Sequence, residues 1–201
     1  MDSDDRDAVA EAVAQAETLT SAEIVVVIDR AAGSYRSVPL VMALTLALLV
    51  PWPLLAMTAT SAPRIFLIQL VCAVLLVATL LWYGRGGRFV PGFVKRGRAH
   101  DVALREFTAR GLTRTRARTG VLLYVALQER YAEIVTDTGL DGRVEPEIWR
   151  SIIEPLLQAA RQDRLRAGLI DAVGAIARVL APHAPPAPDD IDELPNKVVL
   201  L

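Results

Sequence analysis

A chain of 201 residues with a net charge of −1 has no overall positive charge that would attract nucleic acid, so no nucleic-acid partner is expected. Its single cysteine, Cys72, excludes a disulfide framework and a cysteine-based metal site. Hydrophobic residues make up 53% of the sequence, more than a typical soluble domain needs, which directs attention to long apolar segments.

The first 37 residues predict the beginning of an α/β domain. Apolar residues recur at helical spacing across residues 4–19, and aspartates precede them, which favours a short amphipathic helix. Residues 24–28 are five consecutive β-branched residues. A strand that is apolar on both faces is typical of a parallel or mixed sheet with helices on both sides.

Residues 38–83 predict a transmembrane helical hairpin. Residues 65–83 carry no charge and include twelve Leu, Ile, Val or Phe residues, worth roughly −4 to −7 kcal/mol of insertion free energy. The first segment starts at Pro39, and Pro51 and Pro53 interrupt it, so we expect the helix to kink or stop there. A buried hairpin in a soluble core is the alternative, but two such segments joined by a short link favour a membrane span.

Residues 84–98 are rich in glycine and basic residues and are interpreted as a flexible juxtamembrane linker. Its basic side chains are expected to contact anionic lipid headgroups of the bilayer: Arg85, Arg88, Lys95, Arg96 and Arg98. The hairpin turn offers only Arg64, so the positive-inside rule places both termini in the cytoplasm. The predicted location is the cell (inner) membrane, as a multi-pass protein.

Residues 99–181 predict the second part of the same domain. Residues 121–127 predict a second buried strand and residues 131–136 a third, and the short turn between them predicts an antiparallel pair. The helix predicted over residues 99–110 permits a parallel crossover between the first strand and the second. Two further helices follow, one from Pro146 that is broken or kinked near Pro155, and one over residues 165–180.

Residues 182–201 are a Pro-rich acidic tail. This composition is typical of disorder, so we expect most of the tail to lack fixed structure. Its last eight residues are more apolar, and for them docking on the domain or on a partner is the alternative.

The stretch from Gly120 to Leu140 resembles the TPM domain family, which is known from thylakoid-lumen phosphatase, photosystem-repair and receptor-modulator members. The shared pattern is an apolar strand, the acid–arginine turn Glu129-Arg130, a second strand and the pair Gly139-Leu140. The resemblance extends over about residues 5–36 and 99–180. It implies a small mixed sheet flanked by helices, an α/β fold that the two-helix transmembrane hairpin interrupts.

Three residues are candidates for a binding site by their position in this pattern: Arg130, Asp137 and Asp141. The loop from Asp137 to Glu145 gathers carboxylates around two glycines, which suits a hard cation such as calcium. A solvated loop is the favoured interpretation, so no cofactor is expected and calcium is the alternative. The sequence assigns no catalytic residue and no metal ligand.

The hypothesis favoured by the sequence is a membrane-anchored, non-catalytic TPM-like module that binds other membrane proteins or assists their assembly or repair. The alternative is a cation-dependent phosphatase that acts at the cytoplasmic membrane surface. The substrate, the protein partner and the oligomeric state do not follow from these residues.

Overall fold

The computed structural model describes residues 1–33, 37–57, 61–83, 90–186, 193–195 and 197–201. Two compact units make up the chain: Met1–Ala32 with Arg96–Leu201, and Gly33–Lys95. In chain order the strands are β1 (Ile24–Asp29), β2 (Val121–Ala126), β3 (Tyr131–Thr136) and β4 (Val198–Leu200). The helices are α1 (Ser3–Glu17), α2 (Ser37–Leu49), α3 (Pro51–Met57), α4 (Ala62–Tyr83), α5 (Gly92–Ala109), α6 (Pro146–Arg161) and α7 (Leu165–Leu180), with a 3₁₀ turn at Leu112–Arg114.

The first unit is built on a four-stranded mixed sheet in the order β3-β2-β1-β4. β1 runs parallel to β2 with Val26 beside Leu123, and parallel to β4 with Val26 beside Val198. β2 and β3 are antiparallel, with Leu123 beside Ile134. The predicted mixed sheet is therefore confirmed.

Helices cover both faces of this sheet. Alternate residues of β1 and β2, such as Val26 and Leu123, pack with α1, α6 and α7 in one core. The residues between them, such as Val27 and Tyr124, pack in a second core with Phe107 of α5. Every residue of β1 and β2 is buried, which explains why their sequences are apolar without alternation.

Two helices, α5 and α6, differ from the sequence prediction. α5 begins at Gly92, directly after Pro91. The Pro91 carbonyl accepts hydrogen bonds from the backbone N–H groups of Val94 and Lys95. Residues 92–98 are therefore helical, and the prediction of a flexible linker is wrong for them. α6 continues through Pro155 without a break. The proline lies on the exposed side of the helix, where water can solvate the carbonyl that it leaves without a helical donor. Arg85 and Arg88 lie outside the described residues.

The apolar end of the tail forms β4, which the sequence did not predict. Residues 198–200 continue the sheet beyond β1, and the backbone N–H of Leu201 donates to the Ile28 carbonyl at 3.0 Å. The domain itself therefore holds the last residues of the tail. Residues 187–192 and 196 lie outside the described part of the chain.

The second unit consists of α2, α3 and α4. The expected interruption occurs at Val50, where α2 ends and α3 begins at Pro51. Two stretches, Leu40–Met57 and Ala62–Leu80, are long and apolar enough to cross a membrane, and 11% and 6% of these windows are buried. Helices of a soluble core and signal sequences meet the same requirement of length and composition.

Candidate functional site

Asp137 lies at the end of β3 and is 3% exposed. One carboxylate oxygen accepts from the backbone N–H of Thr138 at 2.7 Å. The other is buried and lies 3.0 Å from Nε of Arg118, an ion pair without a hydrogen bond, because this N–H donates to the Thr138 hydroxyl. Arg118 also donates to the Thr113 carbonyl. The Asp137 side chain therefore joins β3 to the loop that precedes β2.

The backbone of the same two loops makes a close contact at Gly139. Its N–H donates to the Arg118 carbonyl at 2.9 Å, and a Cβ added there would meet the carbonyl oxygens of Ala117 and Arg118 at 2.5 Å. Only glycine fits such an approach of backbone to backbone. The Gly139 of the TPM-like pattern thus has a packing function.

The other acids of this loop are not gathered around Asp137. Asp141 is exposed, and Glu145 precedes α6 as an exposed N-cap residue without a side-chain capping bond. In residues 1–33, 37–57, 61–83, 90–186, 193–195 and 197–201, no group of three or more His, Cys, Asp or Glu side chains is placed to hold a metal ion. Calcium binding by this loop remains a prediction.

Arg130 lies at the opposite end of β3, in the turn between β2 and β3, with a positive φ of 52°. β3 has six residues, so at about 3.3 Å per residue roughly 20 Å of strand separates Arg130 from Asp137. The structure therefore does not bring the three candidate residues together in one site. Arg130 lies in an exposed turn, whereas Asp137 is buried at the other end of the strand.

A concave surface surrounds Arg130. This carboxyl-end cavity has a volume of about 720 Å³ and lies where β2 ends, between the β2–β3 turn, the α6–α7 connection and the first turn of α1. Its charged lining comprises four arginines and two aspartates: Arg130, Arg161, Arg164, Arg166, Asp5 and Asp163. The sequence analysis missed this cluster, because three of its arginines lie thirty or more residues beyond Arg130.

A buried polar group also lies in the core beside α5. The hydroxyl of Tyr124 donates to a carboxylate oxygen of Asp29 at 3.0 Å, across the parallel pair β1–β2. Burial first, and then the charge and hydrogen bond of Asp29, raise the pKa of the Tyr124 phenol well above its ordinary value. Burial and a hydrogen bond to Glu133 likewise raise the pKa of Tyr131. In the sequence, the feature that could have identified the buried pair of Tyr124 and Asp29 is the position of Asp29, an acid directly after the apolar run of residues 24–28.

The model of the TPM domain family matches residues 88–179. The chain contains a TPM domain. The fold is also that of the BA42 protein from the psychrophilic bacterium Bizionia argentinensis, whose NMR structure aligns with a TM-score of 0.61 at 20% identity, over 100% of this chain and 95% of that one. No curated protein matches the chain.

The matched range includes α5, β2, β3, α6 and most of α7, so it contains both loops around Asp137 and the arginines of the carboxyl-end cavity. β1 and β4 lie outside the range, yet they complete the sheet of the TPM domain. The sheet is thus assembled from segments on both sides of the two apolar helices.

Proposed function

We propose that the protein is a membrane-anchored TPM domain protein that binds other membrane proteins, or assists their assembly or repair, without catalysis. The observation that carries the proposal is the exposure of the apolar helices. Large side chains project outward from both of them: Leu48 is 66% exposed, Trp52 75% and Phe66 70%. The free energy of transfer of each such side chain from water to apolar surroundings is favourable by about 1.5–3 kcal/mol.

The two alternatives for an apolar helix fit these helices less well than a membrane span. A helix from a soluble core is mostly buried, whereas only 11% and 6% of the two windows are buried. A signal sequence lies near the beginning of a chain, whereas these helices follow a complete helix and a strand of the folded sheet. The bilayer is the environment that covers such surfaces.

The proposed topology places both termini in the cytoplasm, as the basic residues after α4 indicate. A reporter that is active only outside the cytoplasm should remain inactive at either terminus and become active when inserted at Ser61, between α3 and α4. Activity at the C-terminus would contradict this topology.

Membrane insertion itself is tested with the double variant Val71→Arg and Leu75→Arg, which changes two exposed residues near the centre of α4. Each arginine costs about 2.5–3.5 kcal/mol at that depth, so together they offset the apolar contribution of the helix. We expect the variant to be extracted from membranes by alkaline carbonate, while the control Leu75→Val stays in the membrane pellet. Extraction of the wild type by alkaline carbonate would refute the anchor.

The distribution of the candidate residues supports binding over catalysis. Arg130 and Asp137 lie at opposite ends of β3, and the Asp137 carboxylate is buried beside the guanidinium of Arg118. The test is affinity capture of the detergent-solubilised full chain, with identification of co-purifying membrane proteins. A Leu123→Asp variant, which disrupts the core, is the control for capture by the tag or the helices alone. Cation-dependent phosphatase activity lost in Asp137→Asn together with Asp141→Asn would favour the alternative function instead.

A further inference from the structure

We propose that the free edge of β1 is a binding site for an extended acidic segment of a partner protein, a site that the chain's own tail occupies in the structure. The inference rests on the proposed function and deepens it, because it names the surface and the kind of segment that the partner supplies. Its starting observation is that the domain holds the tail by specific contacts ahead of β4 as well as by strand pairing.

A buried carboxylate holds the backbone of the tail ahead of β4. Glu23 lies directly before β1 and is 8% exposed. Its two carboxylate oxygens accept from the backbone N–H groups of Glu193 at 3.0 Å and Leu194 at 3.3 Å. When a segment binds along the edge of a sheet, contacts to its main chain supply affinity whichever side chains it carries. Glu23 and the edge of β1 can therefore hold an extended segment from another protein.

The side chains of the tail show which residues the site selects. Leu194 packs against the core beside α5, and a Cβ added at Gly111 would lie 3.8 Å from its Cδ2. In β4, Val198 packs against the core of α1, α6 and α7, and Val199 packs against the core beside α5. Neighbouring residues of a strand point to opposite faces of the sheet. The site therefore fits a leucine that is followed four and five residues later by apolar residues.

The charge of the site suits an acidic segment. Both carboxylate oxygens of Glu193 accept from the backbone N–H of Arg116 at 3.2 Å. Arg114 and Arg116 are exposed in this loop. In the sequence, three acids shortly precede Glu193: Asp189, Asp190 and Asp192. Opposite charges on two binding surfaces speed association and exclude partners of the wrong charge.

The tail does not fill the whole site. A cavity of about 410 Å³ adjoins Leu194 and is lined by Gly111, Arg114 and Thr115 among others. A partner segment with a larger side chain at this position gains contacts that the tail lacks. The tail, as a tethered segment, competes at a high but finite effective concentration, so a partner with such additional contacts displaces it.

The tail can leave this edge while α7 stays in place. The Ala184 carbonyl accepts from the backbone N–H of Ser21 at 2.9 Å and from the hydroxyl of Thr20 at 2.7 Å. The connection from Ala184 to Glu193 therefore starts and ends beside the beginning of β1. Residues 185–192 can reach roughly 26–29 Å when extended, far more than this separation requires.

The experiment measures binding of a fluorescent peptide with the sequence of residues 189–201, by anisotropy, to the full chain in a non-ionic detergent. In the variant Val26→Cys with Val198→Cys, which also carries Cys72→Ala, a disulfide locks the tail to β1, because residues 26 and 198 are neighbours in the parallel pair. We expect the reduced form to bind the peptide at least tenfold more tightly than the locked form.

A second variant releases the tail by two charges. Leu194→Asp with Val199→Asp removes both tail contacts with the core beside α5, so this chain should bind the peptide at least tenfold more tightly than the wild type. Adding Glu23→Gln to it should weaken binding severalfold. If the aspartates unfold the chain, the locked and reduced forms still decide, because they differ by a single disulfide bond.

Two altered peptides serve as controls. A peptide of the same composition in scrambled order should bind at least tenfold more weakly, since it keeps the charge and loses the spacing of the leucine and the valines. A peptide with Lys197→Ala should bind like the original, because Lys197 is exposed. Equal binding of the peptide by the locked and reduced forms, or equal binding of the scrambled peptide, would overturn the proposal.

The partner is distinguished from a second copy of the chain, and the site from the proposed function. A wild-type dimer in analytical ultracentrifugation that the intramolecular lock abolishes would assign the edge to a second copy and overturn its assignment to a partner. Membrane proteins captured equally by the locked chain and the wild type would also contradict this site. Capture of no membrane protein by a chain that binds the peptide would contradict the proposed function and not the site.

Discussion

The Asp137→Ala variant tests whether this acid stabilises the fold or serves to bind a ligand. Asp137 is 3% exposed, and it accepts one short hydrogen bond from Thr138 and pairs with Arg118 at 3.0 Å. The hydrogen bond to this charged group contributes about 1.5–3 kcal/mol. Arg118 is 47% exposed and its pair with Asp137 is not a hydrogen bond, so the pair adds at most about 1 kcal/mol and the expected loss is about 2–4 kcal/mol.

A loss of that size lowers the melting temperature of a chain of this length by roughly 5–15 °C. The assay is thermal unfolding of the full chain in detergent, followed by near-ultraviolet circular dichroism. Asp141→Ala is the matched control, because Asp141 belongs to the same loop and is exposed, and it should change stability by less than about 0.5 kcal/mol. Equal effects of the two variants would refute the reasoning.

The same pair of variants tests the calcium hypothesis. A cation that binds only the native state raises its stability by RT ln(1 + [L]/Kd), which is about 2.7 kcal/mol at a concentration of 100 Kd. If Asp137 and Asp141 hold calcium, the wild type should gain stability with calcium and both variants should lose that gain. If Asp137 is occupied by Arg118, as its geometry indicates, calcium should leave all three melting temperatures unchanged.

Three further predictions concern the sheet and its loops. Gly139→Ala should lower the free energy of unfolding, measured thermally, by several kcal/mol, because its Cβ would lie 2.5 Å from two backbone oxygens. Gly142→Ala is the control: space is open around it, so it should lower the free energy of unfolding by about 1 kcal/mol through its positive φ alone. Removal of residues 198–201 should expose the edge of β1 and promote aggregation, measured by light scattering, and a deletion variant that stays monodisperse would contradict this. Above the ordinary tyrosine pKa of about 10, the tyrosines of the unfolded chain ionise, while Tyr124 and Tyr131 stay neutral in the folded protein because their pKa is raised. The free energy of unfolding is therefore highest below that pH and falls by about 1.4 kcal/mol per pH unit for each of these tyrosines as the pH rises. Tyr124→Phe should make the alkaline loss of stability, measured by unfolding at several pH values, less steep.

The strands β1 and β2 were predictable from the sequence because each is an apolar run that ends at a polar residue or a turn, and β3 was predictable because it follows β2 after a short turn. Burial on both faces removes the alternation of exposed strands, so a continuous run such as residues 24–28 has few other interpretations. β4 was not predictable in the same way. It has three residues behind a Pro-rich acidic segment, and its conformation comes from pairing with β1 and not from local preference.

The candidate site was predictable only in part. The acid–arginine turn identified Arg130, since a turn between two strands is a local pattern. Its partners in the carboxyl-end cavity come from the end of α6 and the start of α7, and local patterns do not show which helix ends meet which turn. Asp137 was identified because it is an acid in a loop with other acids. Its partner Arg118 lies nineteen residues earlier, in a loop that also contains Arg114 and Arg116, and the sequence does not show which of these arginines pairs with Asp137.

The position of the apolar helices in the chain follows from what a parallel pair of strands requires. β1 and β2 are parallel neighbours, so their connection must cross over the sheet and needs at least about a dozen residues. Here α5 supplies the packing of that connection, and all residues of both cores lie in 1–32 and 96–201. The segment 33–95 makes the connection roughly three times longer, and loop entropy grows only as the logarithm of length, which costs about 1 kcal/mol. A crossover is therefore a place where a pair of apolar helices can be added to a TPM domain at small cost, because the sheet pairing, both cores and the carboxyl-end cavity are all built from residues outside the insertion.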